Sequence, residues 1–406
     1  MLFQSPIPPK YARLDNAEID AGIRAFKKKL GKRLVILGHH YQQDDVIAYA
    51  DLTGDSLKLS QLAAEQTEAE FIVFCGVHFM AESADILSSD EQKVILPDLS
   101  AGCSMADMAH IDQLEEAWPL LNEFAEGPIT PITYVNSSAA VKAFVGRNDG
   151  ACCTSSNAER VLAWALRGAE PETGACATAV SAGPHAGNPP RGHGSQSGGT
   201  ADCSGHKVLF LPDQHLGRNT AFALGWPLER MVVYDPEQPE GGLTPEQVRA
   251  ARFILWKGHC SVHQLFNTAQ IEALRADDEP WKILVHPECS WEVVQGADLV
   301  GSTEYIIRTV REAPAGSHWA IGTEVHLIHR LARAHADKHV RSLANIQCLC
   351  TTMYRIDPRQ LYWVLENLAN GTVVNQISVD EDTAHWSRVG LARMLELAPA
   401  QPVSVD

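Results

Sequence analysis

Residues 34–42 read LVILGHHYQ. An apolar, β-branched run that breaks off into polar and aromatic residues is what a strand buried on both faces shows as it leaves a parallel sheet. The same change recurs at 131–139 (PITYVNSSA) and 282–290 (KILVHPECS). After each comes a segment in which small polar residues open a helix-like run: ADLTGDSLKLS (50–60), ACCTSSNAERV (151–161) and ADLVGSTEYII (297–307). A further strand-like run follows: FIVFCGVHF (71–79), KVLFLPDQH (207–215) and HWAIGTEVH (318–326). Each series ends on a cysteine followed by Ser or Thr, in SAGCSMADM (100–108), WKGHCSVHQLF (256–266) and QCLCTTMYRI (347–356). A four-part series met three times predicts three copies of one α/β unit. Strands are expected at 34–38, 71–76, 93–97, 132–136, 208–212, 253–256, 282–286 and 319–323.

The repeat aligns Cys103, Cys260 and Cys350. Leu34 to Cys103 is 69 residues and Lys282 to Cys350 is 68. Ile132 to Cys260 is 128, or about 92 once residues 171–206 are set aside, which leaves an excess. Residues 171–206 hold eight glycines and no Leu, Ile, Phe, Tyr or Trp. Such a stretch buries too little apolar surface to offset its ordering entropy, so it is expected to be a disordered insertion. The units then divide as 17–130, 131–281 and 282–380, with a C-terminal helix and tail over 381–406.

The net charge of −17 argues against a nucleic-acid or anionic-membrane partner. No run approaches the roughly 20 apolar residues of a membrane span. The first twenty residues carry prolines and charges where an export signal needs an apolar stretch, so a cytoplasmic protein with reduced thiols is expected.

Isolated intracellular cysteines usually pack as small hydrophobes. Three equivalent ones around a pseudo-threefold axis have a second reading, as thiolates meeting at one point. Soft thiolates select zinc or iron–sulfur clusters, and three rather than four leave one metal corner open to act as a Lewis acid. Ser56, Ser155, Ser302 and Thr303 stand at helix starts, where free N–H groups cap the helix or bind carboxylate and phosphate. His39, His40 and Tyr41, Tyr134 and Asn136, and His286 and Glu288 follow strand ends, where parallel sheets gather ligands. Glu288 is the best general acid or base among them. There is no dinucleotide fingerprint, phosphate-binding P-loop, paired-His metalloprotease motif or nucleophile elbow. The stretch 326–335, HLIHRLARAH, reads as an amphipathic helix rather than a ligand array.

GHHYQ, GDSLKLS, CGVHFMAESADIL, AGCSM, YVNSSAAVKA, CCTSSNA, FLPDQHLG, WKGHCSVH, VHPEC, GSTEYII and CTTM, in that order over 34–353, resemble the quinolinate synthase family, the NadA-type enzymes of NAD biosynthesis. The resemblance implies three αβα sandwich domains with small parallel sheets around a central site. It implies a 4Fe-4S cluster held by Cys103, Cys260 and Cys350, with a fourth iron open to substrate. The implied reaction joins iminoaspartate to dihydroxyacetone phosphate. It implies a partner, an L-aspartate oxidase or dehydrogenase, that supplies the imine. Tyr41, His286 and Glu288 would move protons. His39, Ser56, Tyr134, Asn136, Ser155, Ser302 and Thr303 would bind substrate, with His263 a further candidate. Cys350 is chosen over Cys348 because the family places Met three residues after the ligand, here Met353. The residues alone also admit another iron–sulfur hydro-lyase, or a scaffold holding zinc on three cysteines and a histidine.

Overall fold

The computed structural model describes residues 4, 6–166, 205–346 and 348–397. The expected disordered insertion therefore lies, over 171–204, outside the described residues. Its last residue, His206, is placed: its Nε2 pairs with Thr130 Oγ1 at 3.0 Å and its carbonyl accepts from Arg252.

Three small, mostly parallel sheets carry the fold. The first holds β1 (Leu34–His39), β2 (Leu52–Gly54), β3 (Phe71–Cys75) and β4 (Lys93–Ile95). The second holds β5 (Ile129–Tyr134), β6 (Ala151–Cys153), β7 (Lys207–Leu211), β8 (Met231–Tyr234) and β9 (Phe253–Trp256). The third holds β10 (Lys282–Val285), β11 (Leu299–Val300), β12 (His318–Gly322) and β13 (His339–Ser342). The orders are β2-β1-β3-β4, β6-β5-β7-β9 and β11-β10-β12-β13, the same winding three times. The register repeats as well: Leu34 pairs with Phe71, Ile129 with Lys207 and Lys282 with Trp319. Every residue of β1, β3 and β7 is buried, because helices cover both faces of the sheets.

The excess length of the second unit is explained by an inserted strand and helix. β8 joins the sheet edge beside β9, and the helix Pro245–Ala250 leads back into β9. HLIHRLARAH forms the helix Val325–Ala334, with Val325, Leu327, Ile328 and Leu331 buried.

The chain beyond the third sheet does not stay with it. The helix Pro358–Ala369 packs on Asn16–Leu30, and β14 (Gln376–Ile377) pairs antiparallel with β4 of the first sheet. The helix Glu381–Glu396 lies against Ala139–Arg147 of the second unit. Their approach is close enough that a Cβ on Gly146 would stand 2.0 Å from the Trp386 carbonyl oxygen. Backbone cannot yield as a side-chain tip can, so Gly146→Ala should destabilise the protein by about 1–3 kcal/mol. Denaturant titration should show this as a lower midpoint, and an unchanged midpoint would mean that the two helices separate freely.

Candidate active site

In a sheet wound 2-1-3-4, the loops after the first and third strands turn to opposite faces, and the crevice between them at the carboxyl ends takes ligands. All three sheets turn this crevice toward one cavity. The first unit lends it His39, Tyr41, Ser56, Phe79 and Cys103. The second lends Tyr134, Asn136, Ser155 and Cys260, and the third His286, Glu288, Thr303 and Cys350. The cavity they enclose has a volume of about 70 Å³.

Hydrogen bonds between units fix this convergence. Trp256 Nε1 donates to the Met108 carbonyl at 2.7 Å, joining second unit to first. Asn219 Nδ2 donates to the carbonyls of Pro287 and Cys289 at 2.8 and 2.9 Å, gripping the loop on either side of Glu288. Arg330 donates to the His40 and Gln42 carbonyls and to Asp44, and His40 pairs with Glu304 at 2.9 Å, joining first unit to third.

The three cysteines stand on copies of one turn. A 3-10 turn begins three residues after each, at Ala106, His263 and Met353. The carbonyls of Cys103, Cys260 and Cys350 accept from the N–H groups four residues on, at 3.1, 3.1 and 3.0 Å. Each sulfur also accepts from the backbone N–H three residues on. These are single turns of three residues, not full helices. They still aim free N–H groups at sulfur, the feature that favours a thiolate. Of the eight described cysteines, these three alone are partly exposed, and Cys75, Cys152, Cys153, Cys289 and Cys348 are buried. Cys348 packs in the core of the third unit, outside the cavity. Burial pushes the Cys103 thiol up to about 12, and Cys260 and Cys350 upward as well, against the N–H groups that favour the charged form.

Around the sulfurs the polar groups are buried and oriented. Burial, then His40 and Arg330, hold His39 down to about 3, and burial likewise holds His286 to about 3, so both imidazoles are neutral near pH 7. Burial, then Glu288, push the hydroxyls of Tyr41 and Tyr134 upward, so both remain donors. Burial would also raise Glu288, but His263 and His286 beside it outweigh that and hold its carboxyl below the ordinary range. His263 Nδ1 meets Glu288 Oε2 at 2.7 Å and its ring stacks on His286 at 4.5 Å. Asn136 Oδ1 is buried without a hydrogen-bond partner, a polar group left for a ligand.

Cys260, His263 and Glu288 also place their donor atoms within 4.8 Å of one another, as a metal tripod would. The 2.7 Å between His263 and Glu288 decides otherwise. Two ligands about 2.0–2.1 Å from a tetrahedral zinc stand roughly 3.3 Å apart, so this pair is hydrogen-bonded to itself.

Besides the candidates His40 and His263, which pair with Glu304 and Glu288, Ser302 is the expected site residue absent from the lining. Its hydroxyl caps the helix Thr303–Glu312, accepting from Tyr305 N at 3.4 Å, and Thr303 beside it faces the cavity. Ser56 is the first residue of its helix and does line the cavity. Asp55 and Thr154 join the wall from the polar helix starts that the sequence marks, and Val77, Phe79, Met80, Met105, Val262 and Thr352, which no motif singles out, line it with Met353.

The sequence model of the family described as quinolinate synthetase A protein matches residues 21–172 and 200–396, passing over the middle of the glycine-rich stretch. The chain belongs to the quinolinate synthase family. It is 54% identical over 392 residues to a quinolinate synthase of Herpetosiphon aurantiacus, covering 96% of this chain and 95% of that one. It is 51% identical over 394 residues to a quinolinate synthase of Geobacillus thermodenitrificans, covering 97% of each. A quinolinate synthase of Acidobacterium capsulatum is 52% identical over 391 residues, with 95% of each chain covered. Membership in the quinolinate synthase family makes this chain an enzyme of NAD biosynthesis. Among the described residues no helix is long and apolar enough to cross a membrane.

Proposed function

We propose that this quinolinate synthase condenses iminoaspartate with dihydroxyacetone phosphate in the shared cavity, as a cytoplasmic transferase. The products are quinolinate, phosphate and two waters, and the atoms balance without oxidant or reductant. The observation that carries the reading is the selective exposure of three equivalent thiols at one cavity while the other described cysteines are buried. Three soft sulfur donors, with no fourth cysteine in the wall among the described residues, suit a 4Fe-4S cluster with one open iron. When bound, that cluster supplies a Lewis acid for hydroxyl or carbonyl oxygen.

The chain's own groups account for the rest. Tyr134 keeps its proton and donates to a substrate carboxylate, beside the unpaired Oδ1 of Asn136. Ser56, Ser155 and Thr303 stand at or just before helix starts, where N–H groups favour carboxylate or phosphate. Tyr41, neutral His286 and ionised Glu288 hold and accept protons through isomerisation, ring closure and dehydration. His39 accepts the Tyr41 backbone N–H at 3.1 Å and so fixes that loop. An imine in water hydrolyses, so a reaction that oxidises aspartate must run beside this one, by an oxidase or a dehydrogenase.

The test is an anaerobic assay for quinolinate from the two substrates, with iron and sulfide analysis. Product, brown protein and about four of each atom per chain are expected. Colourless protein that binds zinc and makes no quinolinate would overturn the reading.

A further inference from the structure

Among the described residues no lysine or arginine lines the cavity, although both proposed substrates are anions. Recognition falls instead to neutral dipoles, Tyr134 and Asn136 among them. A hydrogen-bonding dipole attracts along its own direction, whereas a point charge tolerates displacement, so these groups must be held rigidly.

Asn136 is held by a lysine that no proton transfer uses. Lys142, on the helix Ala139–Arg147, is fully buried and absent from the wall, and lysine is almost never buried without a partner. Its Nζ donates to the Ser137 carbonyl and lies 5.4 Å from the centre of the Phe79 ring. Ser137 closes a turn around Asn136. Its N–H donates to the Val135 carbonyl, two residues back, at 2.9 Å, and its hydroxyl accepts from Thr133 Oγ1 at 3.0 Å. Asn136 is therefore the apex of a three-residue turn, and its Oδ1 has no partner. Phe79 lines the cavity from the first unit's helix His78–Leu87, and Glu82 on that helix accepts the Ala139 N–H at 3.0 Å. Lys142 thus stands behind the wall, where the Asn136 turn of the second unit meets a helix of the first. Burial pulls its amine down, but the bond to Ser137 does not depend on charge. A carbonyl oxygen only accepts, and the nitrogen donates in either form.

We infer that Lys142 is a positioning residue for the dicarboxylate substrate: from behind the wall it fixes the turn that presents Asn136 to the cavity. This rests on the reaction proposed above. Methionine fills the place of the lysine stem without a donor, and arginine keeps a donor on a stem of similar bulk, so the two variants separate bonding from packing.

The probe is quinolinate, which keeps both carboxylates of iminoaspartate. In full-length, cluster-loaded protein, Lys142→Met should bind it about 10-fold more weakly by calorimetry, while KM for dihydroxyacetone phosphate stays within about 3-fold of the parent. Lys142→Arg should stay within about 3-fold for both. Iron content should be equal in all three. Parental quinolinate affinity in Lys142→Met, an equal loss toward dihydroxyacetone phosphate, or a loss as large in Lys142→Arg would overturn the inference. A parent that neither binds nor forms quinolinate would instead sink the functional reading. The positioning is then read without ligand or turnover, from a crystal structure of Lys142→Met. There the Asn136 side chain should be displaced or divided between two conformers. A single conformer in the parental position would refute the inference by itself.

Discussion

Replacing any one of Cys103, Cys260 or Cys350 with alanine should leave anaerobically purified protein colourless, nearly free of iron and sulfide, and without measurable quinolinate formation. The three sulfurs are the only described thiols on the cavity wall, each held by the same turn and each reached by a backbone N–H. Two thiolates lack the donor count to hold a cluster that three already leave open at one corner. Serine at these positions should fail nearly as completely, since a harder oxygen donor is a poor partner for the cluster irons. The informative control is Cys348→Ala. Cys348 is two residues from Cys350, but it is buried in the third unit's core. That variant should lose some stability and keep its iron. Full iron in Cys103→Ala, Cys260→Ala or Cys350→Ala, or its loss only in Cys348→Ala, would show the ligand set to be misassigned.

The central strands were legible because helices cover both of their faces, so burial writes itself as unbroken apolar runs such as LVIL and KVLFL. The edge strands were not. β2, β8, β11 and β13 are short and contain partly or fully exposed residues, so neither period nor composition marks them. β14 has two residues and gains its identity only by pairing with β4, more than 270 positions away in sequence. The site divides along the same line. Strand-end residues such as His39, Tyr134 and His286 were visible because topology alone sends them to the carboxyl edge. Ser302 and Thr303 could not be told apart, since they are adjacent and carry the same hydroxyl. The turn of the helix makes the first a cap and the second a wall residue. The buried contacts of Thr323 with Tyr41 at 2.9 Å and His263 Nε2 at 3.4 Å had no sequence signal, because they come from two other units and exist only once all three have assembled.

Glu288→Gln should lower kcat by about 10²- to 10⁴-fold while iron and sulfide stay at parental levels. The substitution conserves shape, and the amide oxygen can still accept from His263 Nδ1, so the ring need not move. What disappears is the negative charge, in a place that is 3% exposed and where water cannot replace it. That charge has two consequences. Glu288 stands against the Tyr134 hydroxyl and can take a proton in the cavity. It also faces His263 at 2.7 Å and His286 at 4.0 Å, so a proton accepted by either imidazole would leave an ion pair rather than an isolated buried cation. Because the two imidazoles hold the carboxyl below its usual range, Glu288 alone is a weak base. Proton transfer is therefore shared between carboxylate and imidazole, and glutamine removes the partner that makes the sharing favourable. Glu288→Asp retains the charge on a shorter arm and should recover part of the rate. If Glu288→Gln instead turns over within a few-fold of the parent, the acid–base role passes to Tyr41 and the histidines. If it loses its iron, Glu288 supports the metal site rather than the proton transfers.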